Sequence, residues 1–460
     1  MMLPAYIDGP IAPDADVTFP LDSVALQREY LEIIEALDGD APSHALGDEY
    51  LMQTNALLKG RPMPWSFVPK VFSRRDLGYL SWVAQTTYRI MDKLTRAYLS
   101  DAEVRSKFGF SAELERLTLS PVGYACTIPI ARVDIFLNEE TGAFHFCELN
   151  TDGSAGMLAT MEVTRANAAT VAGSRFMERH RTGMFDIYSA CAGTVLSCYR
   201  EAGGSSASPV IAAVDYRESV NWQEMLEYRR VFSELGAELR FIDLRDLDYS
   251  DGVLSGPDGP VDAVWRRIVL SELDEKPCQG VEAFKRCAAE GKVPMIGGFK
   301  TWPCATKTVF AVLHDPVMER HLDAEEIAFV KEHVPATYML DCDSDLSRFR
   351  DRSLWIAKPR DGYNGAGVRA GSECTAGEWD AVLREMASTG GTVQTYVPQY
   401  ETPNVDGRSA SAAVPLAPHS NMEGLYLFGG RFGGVFTRCG TSAVIGAETG
   451  RLNMGCLVVD

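Results

Sequence analysis

Hydrophobic residues recur with a helical period over the first part of the chain. Apolar side chains stand three or four positions apart at Leu26, Tyr30, Ile33 and Leu37, and much of 80–99 repeats that spacing. This period places side chains on one face of an α-helix. It predicts a helical N-terminal region over residues 1–120.

The pattern then changes to an alternation of apolar and polar positions. Residues 131–137 (ARVDIFL) and 143–150 (AFHFCELN) alternate as strands do, and the NEETG segment between them is rich in turn residues. The sequence predicts a β-hairpin here, followed by one long helix over 157–198. These elements form a second predicted unit, 121–202.

Strands and helices alternate in the middle of the chain, after the small-residue linker GGSSASP. The predicted strands lie at 210–216, 239–244, 261–268 and 293–296, and the predicted helices at 222–235 and 281–290. This order is typical of a parallel, Rossmann-like α/β layer, which we assign to residues 203–299. No G-x-G-x-x-G motif follows the first strand, which argues against a dinucleotide site.

The last part of the chain, 300–460, mixes helical and strand patterns. Its predicted strands lie near 353–358, 391–397, 424–428, 431–438 and 452–459. Together with the preceding layer, this unit predicts an α+β fold class that includes an α/β layer.

The excess of acidic over basic residues limits the kinds of molecule that the protein can bind. The 460 residues include 44 Lys and Arg against 63 Asp and Glu, a formal net charge of −19. So acidic a surface repels nucleic-acid phosphate, and we expect no nucleic-acid partner. No run of about 18 apolar residues predicts a membrane span. The first residues lack the basic and apolar regions of a signal peptide.

The cysteines carry no recognisable site. The chain has 11 of them, scattered and without a CxxC pair. An odd number without zinc-type spacing favours free thiols over disulfides or a metal cluster. We therefore expect a reducing, cytoplasmic location.

The predicted hairpin brings acidic residues together. Alternation places Arg132, Asp134 and Phe136 on one face of the first strand, and Phe144, Phe146, Glu148 and Asn150 on one face of the second. The short turn should pair Asp134 with a residue at or beside Glu148. Two facing carboxylates repel unless a cation lies between them. With Asn150 they offer the oxygen ligands that Mg²⁺ prefers. The alternative is a solvated acidic hairpin in which Arg132 forms a local salt bridge.

A second candidate site is the glycine-rich segment LWIAKPRDGYNGAGV, 354–368. A predicted strand ends at Lys358, and the following loop contains Gly362, Asn364, Gly365 and Gly367. Glycines let backbone N–H groups close over phosphates, and a lysine supplies a point charge. The order differs from a Walker A loop and predicts a flap between two strands. The alternative is an ordinary glycine-rich β-turn.

Three further segments carry candidate residues. Lys307 precedes an apolar helix, and Arg438 lies on a predicted strand among small residues. The strand end from Gln394 to Val397 could offer backbone groups to the edge of a nucleotide base. Taken singly, each of these is more typical of a structural role than of a functional one.

Taken together and in this order, the segments resemble the glutathionylspermidine synthetase and eukaryotic glutathione synthetase branch of the ATP-grasp enzymes, whose chain order is circularly permuted. The matching motifs are R-x-D and E-x-N at 132–134 and 148–150, Thr306–Lys307, Lys358–Pro359, the RDGYN stretch at 360–364, and Arg438. The resemblance implies an ATP-grasp fold with a pre-ATP-grasp domain over 203–299, which would hold substrate. Residues 300–460 would supply the nucleotide-binding lobes.

The resemblance also implies site residues and an activity. Mg²⁺ would be held by Asp134, Glu148 and Asn150. ATP would be bound by Lys307, Lys358, Gly362, Asn364, Gly365, Gly367, Gln394 and Val397. Arg132 and Arg438 would face the transferring phosphoryl group. The implied activity is an ATP- and magnesium-dependent carboxylate–amine ligase that forms an amide through an acyl-phosphate.

Other readings of the sequence stay open beside this one. The same fold could belong to a non-catalytic nucleotide-binding protein. An oxidoreductase that uses the middle layer is disfavoured by the missing glycine motif. We expect small-molecule carboxylate and amine substrates, whose identities the sequence leaves open. The sequence also leaves open whether the protein forms a homodimer.

Overall fold

The computed structural model describes residues 3–362, 365–408 and 415–460. The α-helices of these residues are α1 (Asp22–Ala36), α2 (Pro42–Met52), α3 (Arg74–Ser100), α4 (Ala102–Ser106), α5 (Ala112–Thr118), α6 (Met157–Ala169), α7 (Val171–Arg179), α8 (Ile187–Glu201), α9 (Trp222–Glu234), α10 (Ser271–Glu275), α11 (Gln279–Glu290), α12 (Trp302–Ala305), α13 (Thr308–Leu313), α14 (Ala324–His333) and α15 (Ala376–Thr389). Short 3₁₀ helices lie at Leu244–Asp246, Phe299–Thr301, Pro316–Arg320, Leu346–Phe349, Arg352–Leu354, Gly371–Glu373 and Ala447–Thr449.

The strands of the described residues are β1 (Ala5–Tyr6), β2 (Leu57–Leu58), β3 (Arg61–Pro62), β4 (Lys70–Ser73), β5 (Ile130–Leu137), β6 (Phe144–Asn150), β7 (Thr182–Met184), β8 (Val210–Asp215), β9 (Glu238–Asp243), β10 (Asp248–Ser250), β11 (Val253–Gly256), β12 (Gly259–Pro260), β13 (Ala263–Arg266), β14 (Met295–Ile296), β15 (Thr337–Met339), β16 (Trp355–Lys358), β17 (Arg369–Ala370), β18 (Thr392–Thr395), β19 (Glu401–Asn404), β20 (Ala417–Phe428), β21 (Arg431–Gly440), β22 (Leu452–Met454) and β23 (Cys456–Val459). Short hairpin sheets are formed by β2–β3 and by β10–β11–β12. Among the described helices, none combines the length and apolarity that a bilayer crossing requires.

A six-stranded antiparallel sheet joins the two halves of the sequence. Its order is β22-β21-β20-β5-β6, with β19 paired to the far end of β20. The early hairpin β5–β6 therefore lies beside the late hairpin β20–β21, with Gly424 opposite Asp134 and Tyr426 opposite Arg132. Residues almost three hundred positions apart in sequence meet on one face of this sheet, which carries the candidate site.

A second antiparallel sheet, β15-β18-β16-β17, stands across from the first. Helix α15 packs on it around buried Phe349, Trp379 and Leu383. A capping box starts this helix, because Thr375 accepts from the backbone of Glu378 while the Glu378 side chain accepts from the backbone of Thr375. The sheet presents its strand ends, and the β16–β17 loop, to the six-stranded sheet.

The middle of the chain forms a parallel sheet, as its alternating pattern predicted. Strands β14-β13-β8-β9 are all parallel, with Ala212 of β8 between Val264 and Arg240 of its two neighbours. Parallel sheets carry helices over their faces, and α9 and α11 pack here. The carboxyl ends of β8 and β13 point toward the loop that follows β6, since Arg266 forms an ion pair with Asp152.

The strand predicted over 452–459 is two strands in different sheets. β22 pairs with β21, whereas β23 pairs with β4 and β7 in the sheet β1-β7-β23-β4. The break is Gly455, where a Cβ would lie 2.3 Å from Oδ1 of Asn167 and 2.7 Å from Cα of Thr164. Close packing of the backbone on α6 therefore decides the break, and no local pattern predicts it.

The single helix predicted over 157–198 was also wrong. The segment forms α6, α7, the short strand β7 and α8. Thr170 ends the first helix in an extended conformation, and its side chain accepts from the backbone N–H of Gly173 to cap the second. The predicted N-terminal helices are present, but short strands, among them β4, interrupt them.

A buried charge cluster ties β4 to the back of the six-stranded sheet. Lys70, which is 0% exposed, forms ion pairs with Glu139 and, at 3.5 Å, with Glu423. Two carboxylates thus share one ammonium group. Burial and the neighbouring Glu139 outweigh Lys70 and raise the pKa of Glu423 from its usual 4.5 to about 7.

Glu423→Gln should change how protein stability depends on pH. The folded protein keeps the Glu423 proton up to about pH 7, while the unfolded chain releases it near 4.5, so the wild type loses unfolding free energy as pH rises through this window. Glutamine cannot ionise and should avoid that loss. Above pH 7 the variant should be more stable than the wild type by up to about 3 kcal/mol.

Denaturant unfolding below pH 4.5 and above pH 7 measures this difference. The exposed Glu401→Gln on β19 is the matched control and should follow the wild type at both pH values. If Glu423→Gln is less stable than the wild type above pH 7, the prediction is wrong, and the charged Glu423 carboxylate stabilises the folded protein through Lys70.

Candidate active site

The β5–β6 register places the two hairpin carboxylates opposite each other. Asp134 pairs with Glu148, and Arg132 pairs with Asn150, which confirms the predicted cross-strand pairing. Directly opposed residues lie on the same face of a sheet, with Cβ atoms about 4.5–5.5 Å apart. The face that carries these four side chains looks toward β16 and α13.

A β-bulge corrects one part of the predicted alternation. The register shifts between Asp134 and Ile135, so Ile135 pairs with Phe146 and Cys147 is the extra residue. Phe144 and Phe146 therefore share the face of Ile135, opposite to Glu148, and their rings contact Phe329 of α14. Because of the bulge, side chains at the start of β6 pack in the core, whereas Glu148 and Asn150 near its end face the candidate site.

Asp134 is fully buried and held by arginine. Arg132 donates to both carboxylate oxygens, from Nε at 2.7 Å and Nη2 at 2.9 Å, and donates from Nη1 to the carbonyl of Ala155 at 2.7 Å. Burial lowers the pKa of Arg132, but Asp134 outweighs it and the pKa is raised. Gly424 makes room for the pair, since a Cβ there would lie 2.8 Å from both side chains. The local salt bridge foreseen for Arg132 is present, but it is buried.

Arg438 approaches the same carboxylate from β21. Its Nη2 lies 3.6 Å from Oδ2 of Asp134, which is longer than a hydrogen bond. Its Nε is buried and has no hydrogen-bond partner among the described residues. Most of the donors of this guanidinium therefore remain available to a ligand.

Glu148 is paired with Lys307. Burial raises the pKa of Glu148, but Lys307, Arg438 and Arg132 outweigh it and bring the pKa down to about 2. Lys307 stands at the N-cap of α13, and its backbone N–H donates to the carbonyl of Arg360 at 3.0 Å. This bond anchors the start of the glycine-rich loop beside the carboxylates.

Lys358 ends β16 and lies buried in the same cleft. It donates to the carbonyl of Cys147 at 3.0 Å and to Oε1 of Gln394 at 2.6 Å. Gln394 in turn donates to Oγ1 of Thr337 at 2.9 Å. Within the described ranges Lys358 has no carboxylate partner, and burial, together with Lys307, lowers its pKa. The Gln394 side chain thus holds the lysine rather than facing open space.

A cleft with a cavity volume of about 70 Å³ separates the two antiparallel sheets. Its charged end contains Glu148, Lys307, Lys358 and Arg438. Its apolar walls include Phe136, Ile356, Val397, Met422 and Ile445. The structure therefore brings both lysines, Arg438 and the β18 end around one cleft.

The glycine-rich loop covers one side of this cleft. It connects β16 and β17, which pair antiparallel as the flap prediction required. Gly362 and Gly365 line the cleft, and Gly365 and Gly367 have positive φ values of 78° and 70° that favour glycine. The predicted residue Asn364 lies outside the described residues.

Asn150 completes the hairpin face, and its amide nitrogen lacks a partner in the part of the chain that the structure describes. Its Nδ2 is buried and without a hydrogen bond among the described atoms. The described residues contain no group of three or more His, Cys, Asp and Glu side chains that could hold a metal. A cation between Asp134 and Glu148 would therefore need Asn150, water and ligand oxygens to complete its coordination.

Arg451 is a charged residue that the sequence analysis did not identify. It directly precedes β22, and burial and the neighbouring Arg438 and Arg132 lower its pKa to about 10. An isolated arginine after a glycine carries no motif, so only the pairing of β22 with β21 reveals it. With it, the cations around the site are Arg132, Lys307, Lys358, Arg438 and Arg451, against the two carboxylates Asp134 and Glu148.

Neither a known protein family nor a characterised protein matches the sequence. Among solved structures, the chain is similar to the apo form of a glutathione synthetase-like effector from Globodera pallida, with a TM-score of 0.60 and 12% identity over 91% of this chain and 96% of that one. Weaker matches are a D-cycloserine synthetase (TM-score 0.29, 14% identity, 53% and 90% covered) and a RimK-domain ATP-grasp protein from Sphaerobacter thermophilus (0.27, 12%, 54% and 90%). The chain has an α+β ATP-grasp fold.

Proposed function

We propose that this protein is an ATP- and magnesium-dependent ligase that joins a carboxylate to an amine through an acyl-phosphate. The observation that carries the proposal is an excess of positive charge at one end of an apolar cleft. Lys307, Lys358 and Arg438 line that end against one carboxylate, Glu148, which leaves two positive charges in excess in a protein with a net charge of −19. Such an end attracts a polyanion, and the apolar walls suit a flat base.

The cleft suggests an orientation for ATP. The adenine would lie between Ile356 and Met422, with the backbone near Val397 at its edge. The phosphates would then follow the lysines toward Arg438. Lys358 is buried without a carboxylate partner in the described chain, and a phosphate would offset its charge. Backbone N–H groups of the glycine-rich loop would cover the phosphates.

The hairpin carboxylates fit a magnesium ion. Asp134 and Glu148 are opposed across the strands, and the buried Asn150 amide has a free donor that can turn away while its oxygen binds. A bound Mg²⁺ would offset phosphate charge and orient the triphosphate. Arg132 would keep Asp134 in place, and Lys307 would be released from Glu148 toward phosphate.

The reaction would proceed in two displacements. A carboxylate oxygen attacks the γ-phosphorus, the bond to the β-phosphate oxygen breaks, and ADP leaves. The amine nitrogen then attacks the acyl carbon, the bond to the phosphate oxygen breaks, and the nitrogen loses a proton. Arg438 and Lys307 would offset the charge of the transferring group, because phosphoryl transfer depends mainly on positioning and electrostatics. The glycine loop would exclude water from the acyl-phosphate.

The parallel layer over 203–299 is proposed as the substrate domain. Ligands of open α/β sheets bind at the carboxyl ends of strands. Here those ends contact the loop that follows Asn150, since Arg267 donates to the carbonyl of Ser154 at 2.6 Å and Asp152 accepts from the backbone of Leu270 at 2.9 Å. A substrate there would lie next to the hairpin carboxylates.

Hydroxylamine trapping tests the ligase without knowledge of the amine. The protein, Mg·ATP and hydroxylamine should convert at least one member of a panel of amino acids, peptides and dicarboxylic acids to its hydroxamate, with one ADP for each product. Nucleotide binding measured by calorimetry serves as the parallel readout. Tight Mg·ADP binding without hydroxamate or ADP release from any acid would favour a non-catalytic nucleotide-binding protein instead.

A further inference from the structure

Arg451 lies beside Arg438 on the active-site face of the six-stranded sheet. Arg438 pairs with Asn453 across β21 and β22. Arg451 directly precedes β22, two positions before Asn453, so the strand alternation extended by one residue puts it on the same face. Such diagonal neighbours lie about 7–8 Å apart. Gly440, across from Arg451, has no side chain to cover it, and a Cβ there would lie 4.0 Å from Cα of Arg451.

The Arg451 guanidinium has no hydrogen bond or ion pair with any residue that the structure describes. This differs from Arg132, whose three nitrogens are all engaged. Arg451 is only partly exposed, and burial with two arginines nearby lowers its pKa to about 10. A partly buried cation that forms no ion pair with a described residue is unfavourable, so the position suits an anion that a ligand supplies.

Lys307, Lys358 and Arg438 line the cleft, whereas Arg451 does not. Lys307 pairs with Glu148, and Arg438 approaches Asp134, with which Arg132 pairs. Arg451 therefore lies outside the cleft on the side of Arg438, beyond the point where the transferring phosphoryl group would lie.

We propose that Arg451 binds the carboxylate of the acid substrate and holds it beside Arg438 before it attacks ATP. The proposal rests on the ligase function proposed above and assigns its acid subsite to the β22 edge. The planar guanidinium can engage both oxygens of a carboxylate, which a lysine cannot do. Arg451 would be a binding residue for the acid, while Arg438 would act on the phosphoryl group.

The test compares Arg451→Gln and Arg451→Lys with the wild type in the hydroxylamine assay, with an acid that the wild type converts. Loss of a charge-assisted contact should raise the KM for the acid about 10- to 100-fold in Arg451→Gln. Arg451→Lys should recover part of that loss. Affinity for Mg·ADP by calorimetry should be unchanged in both. Arg431→Gln, an exposed arginine on β21, is the matched control and should retain the wild-type KM.

The possible results distinguish failure of the acid subsite from failure of the ligase function. An unchanged acid KM in Arg451→Gln would overturn the acid subsite and leave the ligase function standing. Weaker Mg·ADP binding with a normal acid KM would reassign Arg451 to the nucleotide phosphates and also overturn it. If the wild type converts no acid at all, the ligase function fails, and the acid subsite fails with it. Melting temperature should not fall in Arg451→Gln, because the side chain forms no hydrogen bond or ion pair with a described residue.

Discussion

Replacing Arg438 by methionine should lower turnover by about 10²–10³-fold while leaving nucleotide affinity nearly unchanged. The guanidinium lies 3.6 Å from Asp134, too far for a hydrogen bond, and its buried Nε has no partner among the described residues. In the proposed reaction these donors would meet the charge that develops during phosphoryl transfer. An interaction made mainly in the transition state affects kcat rather than ground-state binding.

Turnover by ADP release and affinity by calorimetry, on one Arg438→Met preparation, measure both parts of this expectation. Arg438→Lys tests whether the paired N–H donors of the guanidinium are needed, because lysine keeps the charge and loses those paired donors. Arg431→Met, exposed near the start of the same strand, controls for the loss of an arginine from β21. A reduced melting temperature with normal turnover would make Arg438 a structural residue that supports Asp134.

Replacing Lys358 by methionine should weaken Mg·ATP binding by about 10- to 100-fold. Lys358 reaches into the cleft, where its hydrogen-bond partners among the described residues are neutral, namely the carbonyl of Cys147 and Oε1 of Gln394. Burial lowers its pKa, and a phosphate would be the first full negative charge in direct contact with it. Methionine keeps most of the apolar stem of the side chain and removes the charge and the donors of the ammonium group.

The melting temperature of Lys358→Met shows whether a loss of nucleotide affinity comes from the lost charge or from damage to the fold. Gln394 loses a hydrogen-bond donor, but an uncompensated buried cation is also removed, so the melting temperature should change little. Lys331→Met, exposed on α14, is the control for loss of one positive charge. Unchanged nucleotide affinity in Lys358→Met would argue strongly against the cleft as the ATP site.

The Arg132–Asp134 pair changes how the catalytic prediction for Arg132 is understood. From the sequence, a metal would neutralise the carboxylates and leave Arg132 free for an anion. In the structure Arg132 binds both oxygens of Asp134 and the carbonyl of Ala155, so little of it faces the cleft. Its role in catalysis stays a prediction, and holding Asp134 toward Glu148 is the role that its contacts favour.

The local pattern of apolar and polar residues determined the strands that carry the site and one pairing of residues between them. The alternation over 131–150 predicted the hairpin, and the turn length predicted that Asp134 would face Glu148. The ordered motifs predicted an ATP-grasp fold, and the parallel middle layer followed from its alternating strands and helices. These features depend on neighbours close in sequence, where side-chain period and turn length act directly.

The tertiary structure decided the rest. The break at Gly455 and the room that Gly424 leaves for the Arg132–Asp134 pair arise from packing between segments far apart in the chain. The grouping of the early carboxylates with Arg438 and Arg451 exists only because β20 pairs with β5 and β22 pairs with β21. Sequence alone could name most of the charges but not their spacing, since strand pairing is set by burial across the whole sheet rather than by any local period.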